Sequence, residues 1–517
     1  MVRDIARLRS WASGANKRSS VGMRSHFRIT TWPSRSVLAW TLLLAVPVAL
    51  SIPFLAEPFD RDEAVYGVVS RQLLDGQLPY RDVFDHKPPG IYLWYAVAFL
   101  LFGESELGPR VIGALALMGT AAATMVAAGM LWGERARWLA GAAFGLSCGV
   151  AVIRPYANVE PFMLLPMSWA LVFGLRARAG QGFASATCAG LLAALACVTK
   201  PVAAGNAAVV LWLCFSGAQW RGAAWWLAGF AAPVGATAVW LTLTGALKDA
   251  IYANVDYNAM YTAEVSLSAK LSLLQFNGRL VTLAAAPLFL CTSLAAARML
   301  SRRGSGDIVA GLWLAGSALG VAATGRFYGH YFIQLFPAMA LMVAGGFTPG
   351  PRWLWHPVGG RLVVAASGIA AGFAIFMNAP LYTNGDPAER AAARDGSEIS
   401  ARGAVSREVG DYIAATTAGS ETVLLVGRDT VIVWYADRRP ASRFVFDTPL
   451  WMDDERLEEF VADIESKEAA VVVDWLDDIP GLDLGDPRVE RVRQTVEAGY
   501  TLAETIDGAR IYRREGR

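Results

Sequence analysis

From about residue 37 to residue 378 the chain alternates long apolar runs with short polar connectors; beyond about 385 the apolar positions recur at shorter intervals among charges. A helix needs roughly 20 apolar residues to cross a bilayer core, and about 17 at the lower limit. That length predicts spans at about 37–55, 109–131, 136–153, 161–177, 183–198, 202–216, 222–244, 276–297, 308–324, 331–347 and 361–378, eleven in all. The apolar stretch 91–102 is only about a dozen residues long and reads as a re-entrant or interfacial helix. The expected fold class is a polytopic α-helical membrane protein with a small C-terminal α/β domain. Residues 1–34 show no clear period and read as a disordered tail, 35–380 as the transmembrane module, and 385–517 as the α/β domain. Within that domain, strands are expected at 422–426, 443–446, 469–473 and 509–512, and helices at about 400–415, 454–466 and 487–498.

Composition removes the soluble alternative. Hydrophobic residues are 55% of the 517 and charged residues only 17%, more apolar surface than a soluble fold hides. The net charge of +2 says less than its distribution. If 91–102 does not cross, the connectors carrying Arg135/Arg137, Arg176/Arg178, Arg221, Arg298/Arg302/Arg303 and Arg352/Arg361 all face the cytoplasm, as the positive-inside rule requires. The basic N-terminal segment is then cytoplasmic and uncleaved, and the C-terminal domain extracytoplasmic, in a plasma-membrane protein. All five cysteines fall in apolar segments without metal or CxxC spacing, so no disulfide is expected. No nucleic-acid partner is expected either.

With that topology the outer face gathers the chemistry. An external loop, 56–108, holds Phe59-Asp60-Arg61-Asp62-Glu63-Ala64 and Phe84-Asp85-His86-Lys87-Pro88-Pro89-Gly90. The turn 154–161 adds Arg154 and Glu160, the break Thr199-Lys200-Pro201 adds a lysine, and 325–331 adds Arg326, His330 and Tyr331. An amphipathic aromatic stretch, 246–275, lies on the same side. Several acids, lysines and arginines and two of the four histidines on one membrane face suggest chemistry on something the membrane holds.

Asp62-Glu63, Tyr66, Lys87-Pro88-Pro89 and the aromatic short helix with Tyr92, Trp94 and Tyr95 resemble the first external loop of C-type (GT-C) membrane glycosyltransferases. In pattern they are most similar to the bacterial protein-mannosyltransferase-like and aminoarabinose-transferase-like group. The likeness continues in order through Leu101-Phe102-Gly103, Arg110, Glu160-Pro161, Thr199-Lys200, His330-Tyr331 and Pro337, covering roughly 37–347. It implies a polyprenyl-phosphate-linked sugar donor, a cell-envelope acceptor, an extracytoplasmic site and transfer with inversion. One departure is visible: the second acidic position, usually Asp in these relatives, is Glu160 here, two residues after Asn158.

With that resemblance, Asp62 or Glu63 is the general base for an acceptor hydroxyl, Asp62 being preferred and Glu63 its orienting neighbour. Lys87 supplies positive charge to the departing phosphate, and the rigid Pro88-Pro89 fixes its place. Glu160 binds sugar or acceptor or supports the base. Asp85, His86, Lys200, Arg326, His330 and Tyr331 are substrate-contact candidates. Each has a plainer reading: helix capping for Asp62/Glu63 and Glu160, snorkelling for Lys87, and membrane-edge anchoring for Arg326 and the aromatics. A divalent metal is compatible with Asp60, Asp62, Glu63, Asp85, His86 and Glu160, but no compact ligand spacing demands one. The rival class is a transporter or flippase for an amphipathic solute. It would place ionisable groups near the bilayer midplane in repeated halves, and no repeat is present.

Overall fold

The computed structural model describes residues 34–151, 157–348, 357–395, 397–479 and 481–514. Arg154, Pro155, Tyr156, Arg352, the Arg361 side chain and the predicted tail up to residue 33 lie outside the described residues. Contacts divide the chain after Leu42: the first unit contributes only the start of α1 (Ser34–Ser51), and all that follows concerns the second.

After α1 come α2 (Arg61–Leu74) and α3 (Gly90–Phe102), then α4 (Leu107–Trp132), α5 (Glu134–Ser147), α6 (Val159–Arg178) and α7 (Gly182–Thr199). The stretch α8 (Ala204–Leu243) is two helices meeting at a kink, where Gln219 takes φ 51°. Short turns follow, α9 (Leu247–Ile251), a π-turn at Tyr252–Tyr257 and α10 (Asn258–Ala263), before α11 (Leu267–Ala284), α12 (Ala286–Arg302) and α13 (Ser305–Ala323). A 3₁₀ segment, Gly329–Leu335, leads into α14 (Phe336–Gly346), and α15 (Pro357–Thr383) and α16 (Pro387–Asp395) connect to the C-terminal domain.

Five helical stretches among the described residues are long and apolar enough to cross a membrane: Val37–Phe54, Leu107–Trp132, Gly182–Thr199, Pro201–Leu243 and Ser305–Ala323. A sixth counts if α11 and α12 form one broken span. The chain is a multi-pass membrane protein. The expected span 276–297 is not one continuous helix: α11 and α12 meet at a 94° bend. Pro287 in the first turn of α12 has no N–H to continue the ladder from α11, so the chain starts a new helix after Ala285. At 14 and 11 residues, α5 and α14 are short for a straight crossing. Small residues let the helices approach closely. A Cβ on Gly190 would lie 1.9 Å from the Trp226 carbonyl oxygen, and one on Gly229 2.0 Å from that of Thr187. Thus α7 and the second half of α8 meet backbone to backbone.

The C-terminal domain comprises α17 (Ser397–Thr416), β1 (Thr422–Val426), α18 (Val431–Ala436), β2 (Arg439–Pro440), α19 (Thr448–Met452), α20 (Asp454–Glu465), β3 (Val471–Asp474), α21 (Pro487–Gly499), β4 (Tyr500–Ile506) and β5 (Ala509–Arg514). The sheet order is β2-β1-β3-β5-β4. The first three strands are parallel, with Val423 opposite Val471, and the last three antiparallel, with Val472 opposite Tyr512. All four β3 residues are buried, as for a strand covered on both faces.

Strand β4 was not expected, and the strand expected at 443–446 is an irregular segment. Tertiary packing explains the second difference. The Phe84 amide donates to the Arg443 carbonyl at 2.7 Å, and the rings of Phe444 and Phe446 close on Phe84 at 5.6 and 5.9 Å. The aromatic run serves the loop before α3 instead of the sheet. Phe59 likewise sits 5.0 Å from Trp434 of α18. One buried apolar cluster thus runs from α2 and α3 through 246–257 into the sheet, fixing the loop 56–108 against the C-terminal domain.

Candidate active site

The start of α2 is built by a capping box. Asp60 accepts from the Glu63 amide at 2.9 Å, and Glu63 Oε2 accepts from the Asp60 amide at 3.2 Å, satisfying two groups a helix start leaves open. Glu63 also takes the Arg110 guanidinium at 2.6 Å, while the same guanidinium donates to the carbonyls of Glu57 and Pro58. Burial pushes the Glu63 carboxyl up to about 7, although Arg110 pulls it down. The orienting contact expected between Glu63 and Asp62 is absent, because Glu63 turns to Asp60 and Arg110. Capping thus belongs to Asp60 and Glu63. Asp62 is exposed and makes no hydrogen bond or ion pair among the described residues.

The loop before α3 holds Lys87 from several sides. Both Tyr80 and Tyr92 donate to the Lys87 carbonyl, at 2.8 and 3.1 Å, and Tyr92 also reaches Asp85 at 2.8 Å. Asp85 accepts from the His86 amide at 2.7 Å, and Asn258 donates to the His86 carbonyl at 3.0 Å. Burial alone would lift the Asp85 carboxyl, but Lys87, His86 and Tyr92 hold it down to about 2. Lys87 Nζ lies 2.7 Å from His86 Nε2. An ammonium only donates, so Nε2 accepts and the ring proton belongs on Nδ1, which lies 3.1 Å from Asp85 Oδ1 without forming a hydrogen bond to it. Burial, and next the Lys87 charge, lower the His86 pKa, in keeping with that neutral ring. Asp85 and His86 therefore orient Lys87, and Lys87 makes no ion pair among the described residues.

Gly90 brings this loop to the end of α7. A Cβ there would stand 2.6 Å from the Val198 carbonyl oxygen and 2.8 Å from Thr199 Cα. Next in the chain, Lys200 leaves the helix in extended backbone, and its ammonium bonds Glu160 at the start of α6. Lys200 Nζ also lies 4.0 Å above the Tyr331 ring, and Tyr331 stands edge-on to His330 at 4.6 Å. Asp62 is near enough for its charge to act on Tyr66, Lys200, His330 and Tyr331. Glu160 acts on Tyr66, His330 and Tyr331, and Lys87 on Lys200. Segments far apart in sequence therefore converge on one site.

Three buried side-chain atoms at this site, Glu160 Oε2, Tyr66 Oη and His86 Nδ1, have no hydrogen-bond partner among the described residues. In the sequence Tyr66 carries no signal beyond its place after Asp62-Glu63, and Asn258, which braces the loop, carries none. Arg326 bonds the Tyr261 carbonyl at 2.7 Å and Glu264 at 2.9 Å and packs 3.7 Å from the Tyr261 ring, which lies 5.6 Å from His86; none of its bonds reaches Lys87, Lys200 or Glu160. No group of three or more His, Cys, Asp or Glu side chains among the described residues is placed to hold a metal ion.

The fold is similar to that of ArnT, a GT-C membrane glycosyltransferase. The ArnT of Cupriavidus metallidurans bound to undecaprenyl phosphate superposes with a TM-score of 0.63 at 14% identity, covering 93% of this chain and 98% of that one. Its apo state gives 0.59 at 15% identity over the same shares. The oligosaccharyltransferase of Archaeoglobus fulgidus, in complex with zinc and sulfate, matches at 0.46 and 12% identity, over 92% of this chain and 73% of that one. No protein-family model and no curated protein sequence matches the chain.

Proposed function

We propose that this protein transfers a sugar from a polyprenyl-phosphate donor to a cell-envelope acceptor at the outer face of the plasma membrane, with inversion. The topology that goes with this reading has the N-terminus cytoplasmic and the C-terminal domain outside. The observation that carries it is the convergence of Lys87, free of any carboxylate partner among the described residues, with the Glu160–Lys200 pair and the exposed Asp62. The ArnT fold, seen with undecaprenyl phosphate in the Cupriavidus protein, supports a donor of that class.

In this mechanism the acceptor hydroxyl oxygen attacks the anomeric carbon while Asp62 takes its proton. The bond from the anomeric carbon to the phosphate oxygen breaks, and polyprenyl phosphate leaves with the bonding electrons. Lys87 meets the charge that grows on that oxygen, with Lys200 adding positive potential behind it. Glu160 Oε2 and Tyr66 Oη offer an acceptor and a donor to sugar hydroxyls. Glu63 is reassigned from partner of the base to holder of its helix.

The test uses purified protein in lipid, incubated with candidate polyprenyl-phosphate sugars and cell-envelope acceptors. Transfer by the wild-type protein, lost in Asp62→Asn and Lys87→Ala that remain folded, supports the reading. Wild-type rates in both variants contradict the roles. Net movement of a donor lipid between leaflets without glycosidic product would favour the transporter class instead.

A further inference from the structure

The chain between α1 and α2, residues 52–60, is gripped from two sides. From one side, Arg110 of α4 holds the Glu57 and Pro58 carbonyls and the Glu63 carboxylate. From the other, α16 supplies two arginines. Arg390 Nε lies 3.2 Å from Glu57 Oε1, and Arg394 donates to Glu57 Oε2 at 2.8 Å. Arg390 also donates to the Pro53 carbonyl at 2.6 Å and to the Asn384 carbonyl, and its guanidinium sits 5.7 Å from the Phe54 ring. Glu57 is 4% exposed and Arg390 5%, so neither charge is a solvated surface group.

Stability alone does not explain such an arrangement. Taking ions out of water costs several kcal/mol each, and well-packed apolar residues of similar volume are commonly as stable. What ions add is direction. A carboxylate between two guanidinium groups fixes where its own backbone lies. Three residues beyond Glu57 stands Asp60, the cap of α2, and two further on stands Asp62. We propose that Glu57 is a positioning residue: clamped by Arg390 and Arg394 of the helix leading to the C-terminal domain, it sets the path of residues 53–60 and so the place of Asp62. The inference rests on the reading of Asp62 as the base. It gives the α15–α17 connection a task in the site that its distance along the chain conceals.

The experiment pairs Glu57→Gln with Arg390→Lys in full-length protein reconstituted in lipid. Glu57→Gln keeps shape and removes charge; Arg390→Lys keeps charge and removes the fork. Hydrogen exchange of the peptide covering 57–66 is read alongside transfer kinetics. The clamp predicts faster exchange in that peptide in both variants. It also predicts a kcat lower by roughly 10- to 100-fold, the scale of a reacting group misplaced by about 1 Å, with donor KM within about twofold. Unchanged exchange overturns the clamp whatever the activity. Faster exchange with wild-type kcat overturns its role in placing Asp62. If wild-type protein transfers no sugar from any donor, glycosyl transfer itself falls, and the exchange result still decides the clamp.

Discussion

Glu160 and Lys200, forty residues apart in the chain and at the ends of two different helices, form a buried ion pair beside the Tyr331 ring. Glu160 has no exposed surface and Lys200 is 6% exposed. Removing one partner strands the other charge, which costs about 3–5 kcal/mol, whereas removing both together costs far less. Lys200→Met is therefore expected to lower unfolding stability by about that amount, and Glu160→Gln/Lys200→Met to regain most of it. Thermal unfolding in detergent checks this, with the wild-type protein as reference. A double variant no more stable than Lys200→Met would show that the ion pair is not the interaction that counts.

Gly90 is the point at which the Lys87 loop touches the end of α7. Its missing Cβ would meet main-chain atoms, which cannot swing aside as a flexible side chain can. Gly90→Ala should destabilise by about 1–3 kcal/mol through overpacking and should raise donor KM by separating Lys87 from Lys200. Unfolding and steady-state kinetics on one preparation test both. Wild-type values in both would mean that the loop does not depend on this close approach.

Glu63 gives opposite pH signs for stability and for activity. Its folded pKa of about 7 stands above the ordinary carboxylate value of 4.5. Its contribution to stability is then complete below about 4.5 and is lost as pH rises through about 7. Activity runs the other way, because the Arg110 pair needs the ionised form. Proton uptake as pH falls through about 7 should loosen the start of α2 and reduce transfer. Glu63→Gln cannot ionise, so it should show neither trend, with transfer low throughout. Melting and rate profiles from pH 5 to 8 would contradict the assignment if wild-type and Glu63→Gln gave superimposable curves.

Much of the fold was legible because bilayer thickness imposes length on helices and the pattern of charge is plain. The break at Thr199-Lys200-Pro201, the short helix after Pro89 and strand β1 all follow from local signals. The bend at Ala285 was also written locally, in Pro287, but an unbroken apolar run masked it. The segment 443–446 misled because its aromatics have a strand's composition and are claimed by Phe84, over 350 residues away in sequence. In the site, Asp60-x-x-Glu63 has the spacing of a capping box, which assigns Glu63 to the helix and leaves Asp62 open to solvent. The grip of Arg390 on Glu57 spans 333 residues and carries no local signature.

The most direct measurement separates donor binding from transfer at Asp62 and Lys87. Binding of a polyprenyl-phosphate sugar to reconstituted protein is measured first, then a single turnover to acceptor. Asp62→Asn should bind donor as the wild-type does and transfer about 100-fold or more slowly, as expected for a lost general base. Lys87→Ala should bind about 10- to 100-fold more weakly, the loss of one charge-assisted contact. Single-turnover rates for Asp62→Asn equal to wild-type, with Lys87→Ala binding donor undiminished, would contradict sugar transfer by this constellation.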